Sequence, residues 1–163
     1  MKKGMSLLEI LIVVAIFAVL GIIVTRSIIL SIGGSKKSES LVKVRENLDY
    51  SLGVIERQLR NADSIVVCPN SSDTSTISYK DKNGDTGSFS CIGMGGADPY
   101  VASGSARLSS NAVRITSCSF VCTISNSVNP DLVTISLEAE DAEATGIQQS
   151  KVTTTTQVYL RNY

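Results

Sequence analysis

The chain has 163 residues, with 15 Lys/Arg balanced by 15 Asp/Glu, four Cys, and neither His nor Trp. The lack of His excludes Ser-His-Asp triads, Cys-His pairs and His-ligated metal sites, so a catalytic role is not expected. Aromatic residues are few and no Lys/Arg cluster is interleaved with them, which argues against nucleic acid as a partner.

Lys2-Lys3-Gly4 opens the chain, Met5-Ser6-Leu7-Leu8-Glu9 follows, and an uncharged apolar run then extends from Ile10 to Val24. As a helix at about 1.5 Å per residue, Met5 to Thr25 reaches about 31 Å, close to the roughly 30 Å hydrocarbon core of a bilayer. The segment is long enough to span. Lys2 and Lys3 ahead of it predict a short cytoplasmic N-terminus, with the bulk of the chain outside the cytoplasm. A secretory signal peptide would close on an Ala-x-Ala-like site, which Gly21-Ile22-Ile23-Val24-Thr25 does not provide. No Cys lies near the end of the run, so it does not read as a lipoprotein leader. A carboxylate such as Glu9 near one end of a membrane helix costs a few kcal/mol if unpaired, so a neutralising partner is expected.

This order of residues resembles the type IV prepilin signature, in which a short basic leader ends in Gly and the fifth residue after it is Glu. The resemblance covers about the first 25 residues. It implies that a prepilin peptidase cuts between Gly4 and Met5, that Met5 is N-methylated, and that the mature subunit polymerises with other pilin subunits through inner-membrane assembly machinery. It further implies that Glu9 pairs with the new amine at Met5 of a neighbouring subunit and fixes axial register. Two departures stand out: Met5 occupies the first mature position where Phe is usual, and Arg26 stands near where many major pilins carry Pro.

Past the anchor, Gly33-Gly34 interrupts the helical pattern and offers a place to bend or locally melt it, but the segments on either side read together as one long N-terminal helix. Leu41, Val44, Leu48, Leu52, Ile55 and Leu59 then recur at spacings of three and four, predicting an amphipathic helix from about Ser38 to Ala62. The expected organisation is a leader at 1–4, a transmembrane helix at 5–32, an amphipathic second half at 33–62 and a β-rich ectodomain at 63–163. Charge divides along the same line. Residues 26–62 carry seven Lys/Arg against four Asp/Glu, and residues 63–163 carry six against ten.

In the ectodomain, Thr76 to Tyr79 and Ser88 to Cys91 flank Asp81-Lys82-Asn83-Gly84-Asp85, a hairpin signal because Asn-Gly tolerates positive φ. Asp81, Asn83 and Asp85 echo a calcium loop, but Thr86 and Ile92 stand where that loop needs Gly and Glu, so a plain turn is the reading. Gly93 to Ser105 reads as a Gly- and Ser-rich loop; it lacks the strand-loop-helix setting of a phosphate cradle, and no cofactor is expected. Ala112 to Thr116, Val121 to Ile124, Leu132 to Leu137 and Val152 to Leu160 are strand candidates. The acidic piece Glu138 to Thr145 reads as a link between the last two strands. Helix first, then antiparallel sheet, is an α+β arrangement.

All four cysteines, Cys68, Cys91, Cys118 and Cys122, fall in this ectodomain, and an even count in an oxidising compartment suggests disulfides. Of the three pairings, Cys68 with Cys91 and Cys118 with Cys122 is preferred, on condition that Ser119-Phe120-Val121 turns. Otherwise the last two would stand about 13 Å apart on a straight strand, beyond disulfide reach, and the bridges must cross between segments. The spacing does not fit paired zinc knuckles, and no metal is expected.

Two further segments resemble minor pilins of the W type and the J-type pseudopilins of type II secretion. They are Glu56-Arg57-Gln58-Leu59-Arg60-Asn61-Ala62 and the terminal Thr155-Thr156-Gln157-Val158-Tyr159-Leu160-Arg161-Asn162. They imply a minor subunit. The alternative is a single-pass, signal-anchored extracytoplasmic binding domain that does not polymerise.

Overall fold

A computed structural model of the chain describes residues 7–67, 75–123, 131–146 and 149–160. One helix, α1 (Leu7–Arg60), runs for 54 residues, about 80 Å at 1.5 Å per residue. The expected single long N-terminal helix is present, and it stays helical through Gly33-Gly34, so the pair does not melt it. Gly costs about 1 kcal/mol in a helix interior. Long helical stretches on both sides absorb that cost.

The second half of α1 buries a stripe made of Val44, Leu48, Leu52, Ile55 and Leu59. Ser40 and Ser51 are buried alongside, whereas Leu41 sits at the exposed flank. The helix ends at Arg60 and Ala62 already opens the first strand, so the amphipathic segment stops short of the expected boundary.

Eight strands follow: β1 (Ala62–Val67), β2 (Thr76–Asp81), β3 (Thr86–Ile92), β4 (Tyr100–Ser103), β5 (Ala106–Arg107), β6 (Val113–Thr123), β7 (Leu132–Asp141) and β8 (Lys151–Tyr159). They form two antiparallel sheets, one of five strands in the order β1-β2-β3-β4-β5 and one of three in the order β6-β7-β8. The α+β expectation holds, with the sheet resolved into two.

The β2–β3 hairpin lies where Asn83-Gly84 placed it. Gly84 takes the positive φ of +89°. The Asp81 carboxylate accepts the backbone N–H groups of Asn83 and Asp85, each at 2.9 Å, so its acidity serves the turn.

Three segments differ from expectation. Tyr100–Ser103 forms β4 inside the Gly- and Ser-rich stretch, pairing Val101 with Cys91 and Ala102 with Ser90. Glu138 to Asp141 continues β7 instead of linking strands, because Leu137, Ala139 and Asp141 keep facing inward while Glu138 and Glu140 face out. Val113–Thr123 is one strand of 11 residues, with no turn at Ser119-Phe120-Val121. That geometry overturns the preferred disulfide pairing. Cys118 and Cys122 lie on the same strand, out of each other's reach, and Cys118 bonds instead to Cys91 of β3, with the two Cα atoms 5.9 Å apart. Cys122 is also disulfide-bonded. Cys68 lies outside the described residues.

One core unites these parts. The helical stripe, Ile77, Tyr79 and Phe89 of the five-stranded sheet, and Ile115, Phe120, Val133, Ile135, Leu137 and Val158 of the three-stranded sheet belong to a single buried cluster. The first half of α1 contributes nothing to it.

Candidate functional site

From Leu7 to Ile32 the helix is apolar and exposed on every side; Phe17 shows 70% of its surface and Leu30 shows 76%. A globular domain does not leave such a surface in water, since hydrophobic burial is worth about 25 cal/mol per Å². The polar groups in this span are few. Thr25 returns its hydroxyl to the Gly21 carbonyl at 2.8 Å, which satisfies it within the helix.

Glu9 stands in the first turn of α1, exposed, with Leu7 and Leu8 before it and Ile10 and Leu11 after it. The helix dipole favours a carboxylate at this end. Among the described residues Glu9 makes no ion pair. Gly4 and Met5 lie outside the described residues.

A family model described as the prokaryotic N-terminal methylation motif matches residues 1–25. This is a type IV prepilin-like N-terminus. No curated protein and no solved structure matches the chain. With the apolar helix behind it, the prepilin-like signature makes this a single-pass, membrane-anchored protein with a soluble ectodomain. The signature implies a structural protein.

The anchor is useful only if the ectodomain is fixed to it, and polar contacts along α1 do this beside the apolar stripe. Gln58 accepts the Tyr79 hydroxyl at 2.6 Å. Glu56 accepts the Thr156 hydroxyl at 2.6 Å. Asn47 accepts the Ser110 backbone N–H at 3.1 Å. Lys43 reaches Asp141 and Glu143, each at 3.4 Å. These contacts connect the helix to both sheets and to the loop before β6.

The ionisable groups follow their surroundings. Burial pushes Asp141 up, yet the backbone N–H groups of Glu143 and Ala144 and the Lys43 ammonium outweigh it and hold the carboxyl below its ordinary value. Lys43 loses some solvation, but its two acidic partners raise its pKa overall. Burial, and then the charge of Asp81, raise the Tyr79 phenol. Arg107 grips Asp98 with two hydrogen bonds of 2.6 and 2.8 Å and lies 4.6 Å above the Tyr100 ring, which ties down the loop around β4.

The helix-docking residues Asn47, Glu56 and Gln58 escaped sequence reasoning. Each lies one position from an apolar stripe residue, namely Leu48, Ile55 and Leu59. That adjacency is the only signal the sequence carries for them.

Proposed function

We propose that the protein is a structural subunit, a minor pilin or pseudopilin, of a type IV pilus or type II secretion-like filament. Prepilin peptidase cuts after Gly4 and Met5 is N-methylated, leaving 5–32 as the filament-core helix, 33–62 as the helical seat of the ectodomain and 63–163 as the ectodomain. The apolar helix leaves lipid for a bundle of like helices, assembled by machinery in the inner membrane, and the filament carries the ectodomains to the cell surface or into the periplasm.

The observation that carries this reading is the match of residues 1–25 to the methylation motif, joined to a helix whose first half is exposed and packs against nothing among the described residues. Glu9 fits the register role because it is the one carboxylate in the apolar segment, it lies in the first helical turn, and it has no partner among the described residues. The resemblance of Glu56 to Ala62 and of the terminal segment to minor pilins favours a minor subunit.

Replacing Glu9 with Ala tests the assembly role. The variant should be cleaved and anchored normally but fail to enter sheared filaments. If Glu9→Ala chains enter filaments as well as the parent does, the register role is wrong. If the parent chain stays in the membrane and never appears in filaments, the non-polymerising anchored domain is the better reading.

A further inference from the structure

Strand edges carry unpaired backbone donors and acceptors, and proteins protect them by shortening, bulging or covering them. Three of the four edges here are treated in that way. β1 has six residues and two register shifts against β2. β5 has two residues. β6 carries a register shift between Ile115 and Ser117, is bonded to β3 through Cys118, and gives its Ile115 N–H to the Pro99 carbonyl at 3.2 Å.

β8 is different. It runs for nine residues in unbroken register with β7, contains no Pro, and among the described residues has no backbone hydrogen-bond partner on its outer side. Its single charge, Lys151, is at one end and held by Glu138 at 2.6 Å. Such an edge is a template for another strand.

The sequence of β8 says which strand fits. Read from both ends toward Thr155, Lys151-Val152-Thr153-Thr154-Thr155-Thr156-Gln157-Val158-Tyr159 is nearly a palindrome. We infer that β8 pairs antiparallel with β8 of a second copy of this chain, about a two-fold axis through Thr155, joining two three-stranded sheets into one of six. Val152 then faces Val158, Thr154 faces Thr156, and Thr153 faces Gln157. Lys151 meets the exposed Tyr159 ring and not the other Lys151, so the like-charge clash that would block self-pairing is absent and a cation–π contact takes its place. The contact is isologous and closes on itself. Because β8 runs alongside α1 in the same direction, with Ser150 beside Lys37 and Thr156 beside Glu56, the two-fold reverses α1 as well. The contact is therefore separate from the head-to-tail contacts of a polar filament and joins chains whose anchors point in opposite directions, as on antiparallel neighbouring filaments.

Thr155→Cys in the full-length chain, solubilised in detergent and treated with a mild oxidant, tests this. Directly opposed antiparallel residues have Cα atoms about 4.5–5.5 Å apart, within disulfide range. A covalent dimer is expected for Thr155→Cys and none for Thr116→Cys on the outer face of β6. Equal cross-linking at both positions, or none at Thr155, overturns the inference. As a second variant, Thr155→Lys places two ammonium groups face to face at an exposed position and should convert the dimer to monomer by light scattering. If the parent is already a monomer, or if Thr155→Lys remains a dimer, the β8 pairing is wrong. Either failure leaves the N-terminal processing and Glu9 readouts untouched.

Discussion

Tyr79 of β2 lies across the ladder from Gly87 of β3, so close that a methyl group on Gly87 would stand 2.5 Å from the Tyr79 ring carbon bearing the hydroxyl. The ring fills the place a side chain would take. It stacks on Phe89 with centroids 5.5 Å apart and sends its hydroxyl to Gln58 on the helix. Gly87 thus sets how closely the five-stranded sheet approaches α1.

Gly87→Ala should destabilise the ectodomain by about 1–3 kcal/mol, the usual cost of overpacking. Thermal unfolding of the detergent-solubilised chain measures it. Removing the ring relieves the clash, so Tyr79→Leu combined with Gly87→Ala should cost less than the sum of the two single changes. Strict additivity would show that the ring is not what Gly87 accommodates.

The Cys91–Cys118 bond ties the two sheets together across 27 residues of chain. Closing a loop of that size is worth about 3.5 kcal/mol, so Cys91→Ala with Cys118→Ala should lower the melting temperature markedly. Cys122 is bonded as well, and the partner predicted for it is the one further cysteine of the sequence, Cys68. Non-reducing tryptic digestion should therefore yield 61–80, 83–107 and 115–151 as one linked species. A chymotryptic cut after Phe120 should split it into two pairs. If 115–151 appears alone with an internal bridge, the cross-sheet pairing is wrong.

Asp141 supplies a pH signature. Its carboxyl is held below the ordinary value in the folded chain, so its contribution to stability is present above the unfolded carboxylate pKa of about 3.9 and disappears as pH falls through the depressed folded value. Asp141→Asn should therefore be less stable than the parent at pH 7. The gap should close in the acid range below about pH 4. A constant gap across that range would place the effect in packing and not in charge.

Much of this architecture was legible in the residues, for definite reasons. Val44, Leu48, Leu52, Ile55 and Leu59 declare a helical stripe because apolar periodicity is a direct image of burial, and Asn83-Gly84 declares its hairpin because few residues tolerate the turn. Ser40 and Ser51 were invisible, since a small hydroxyl residue fits a buried helix face or an exposed one equally well. Gly33-Gly34 marked a place to melt that stays helical, because local propensity yields to a long helix on either side. Glu138 and Glu140 hid the end of β7, as outward carboxylates on a strand look like a loop until the inward Ala139 and Asp141 are seen to alternate with them. Cys91 and Cys118 sit on different sheets, and only the packing of those sheets brings them together. At the N-terminus the relation was simpler. Glu9 among apolar residues is a conflict visible in sequence alone, and conflicts of that kind mark function.

The central claim is that the chain is a prepilin, and the mature N-terminus tests it most directly. Intact-mass and N-terminal peptide measurements on membrane or filament fractions should show a chain that begins at Met5, lacks residues 1–4 and carries one added methyl group on its α-amine. A chain that still begins at Met1, or one cut anywhere other than before Met5, would contradict the account.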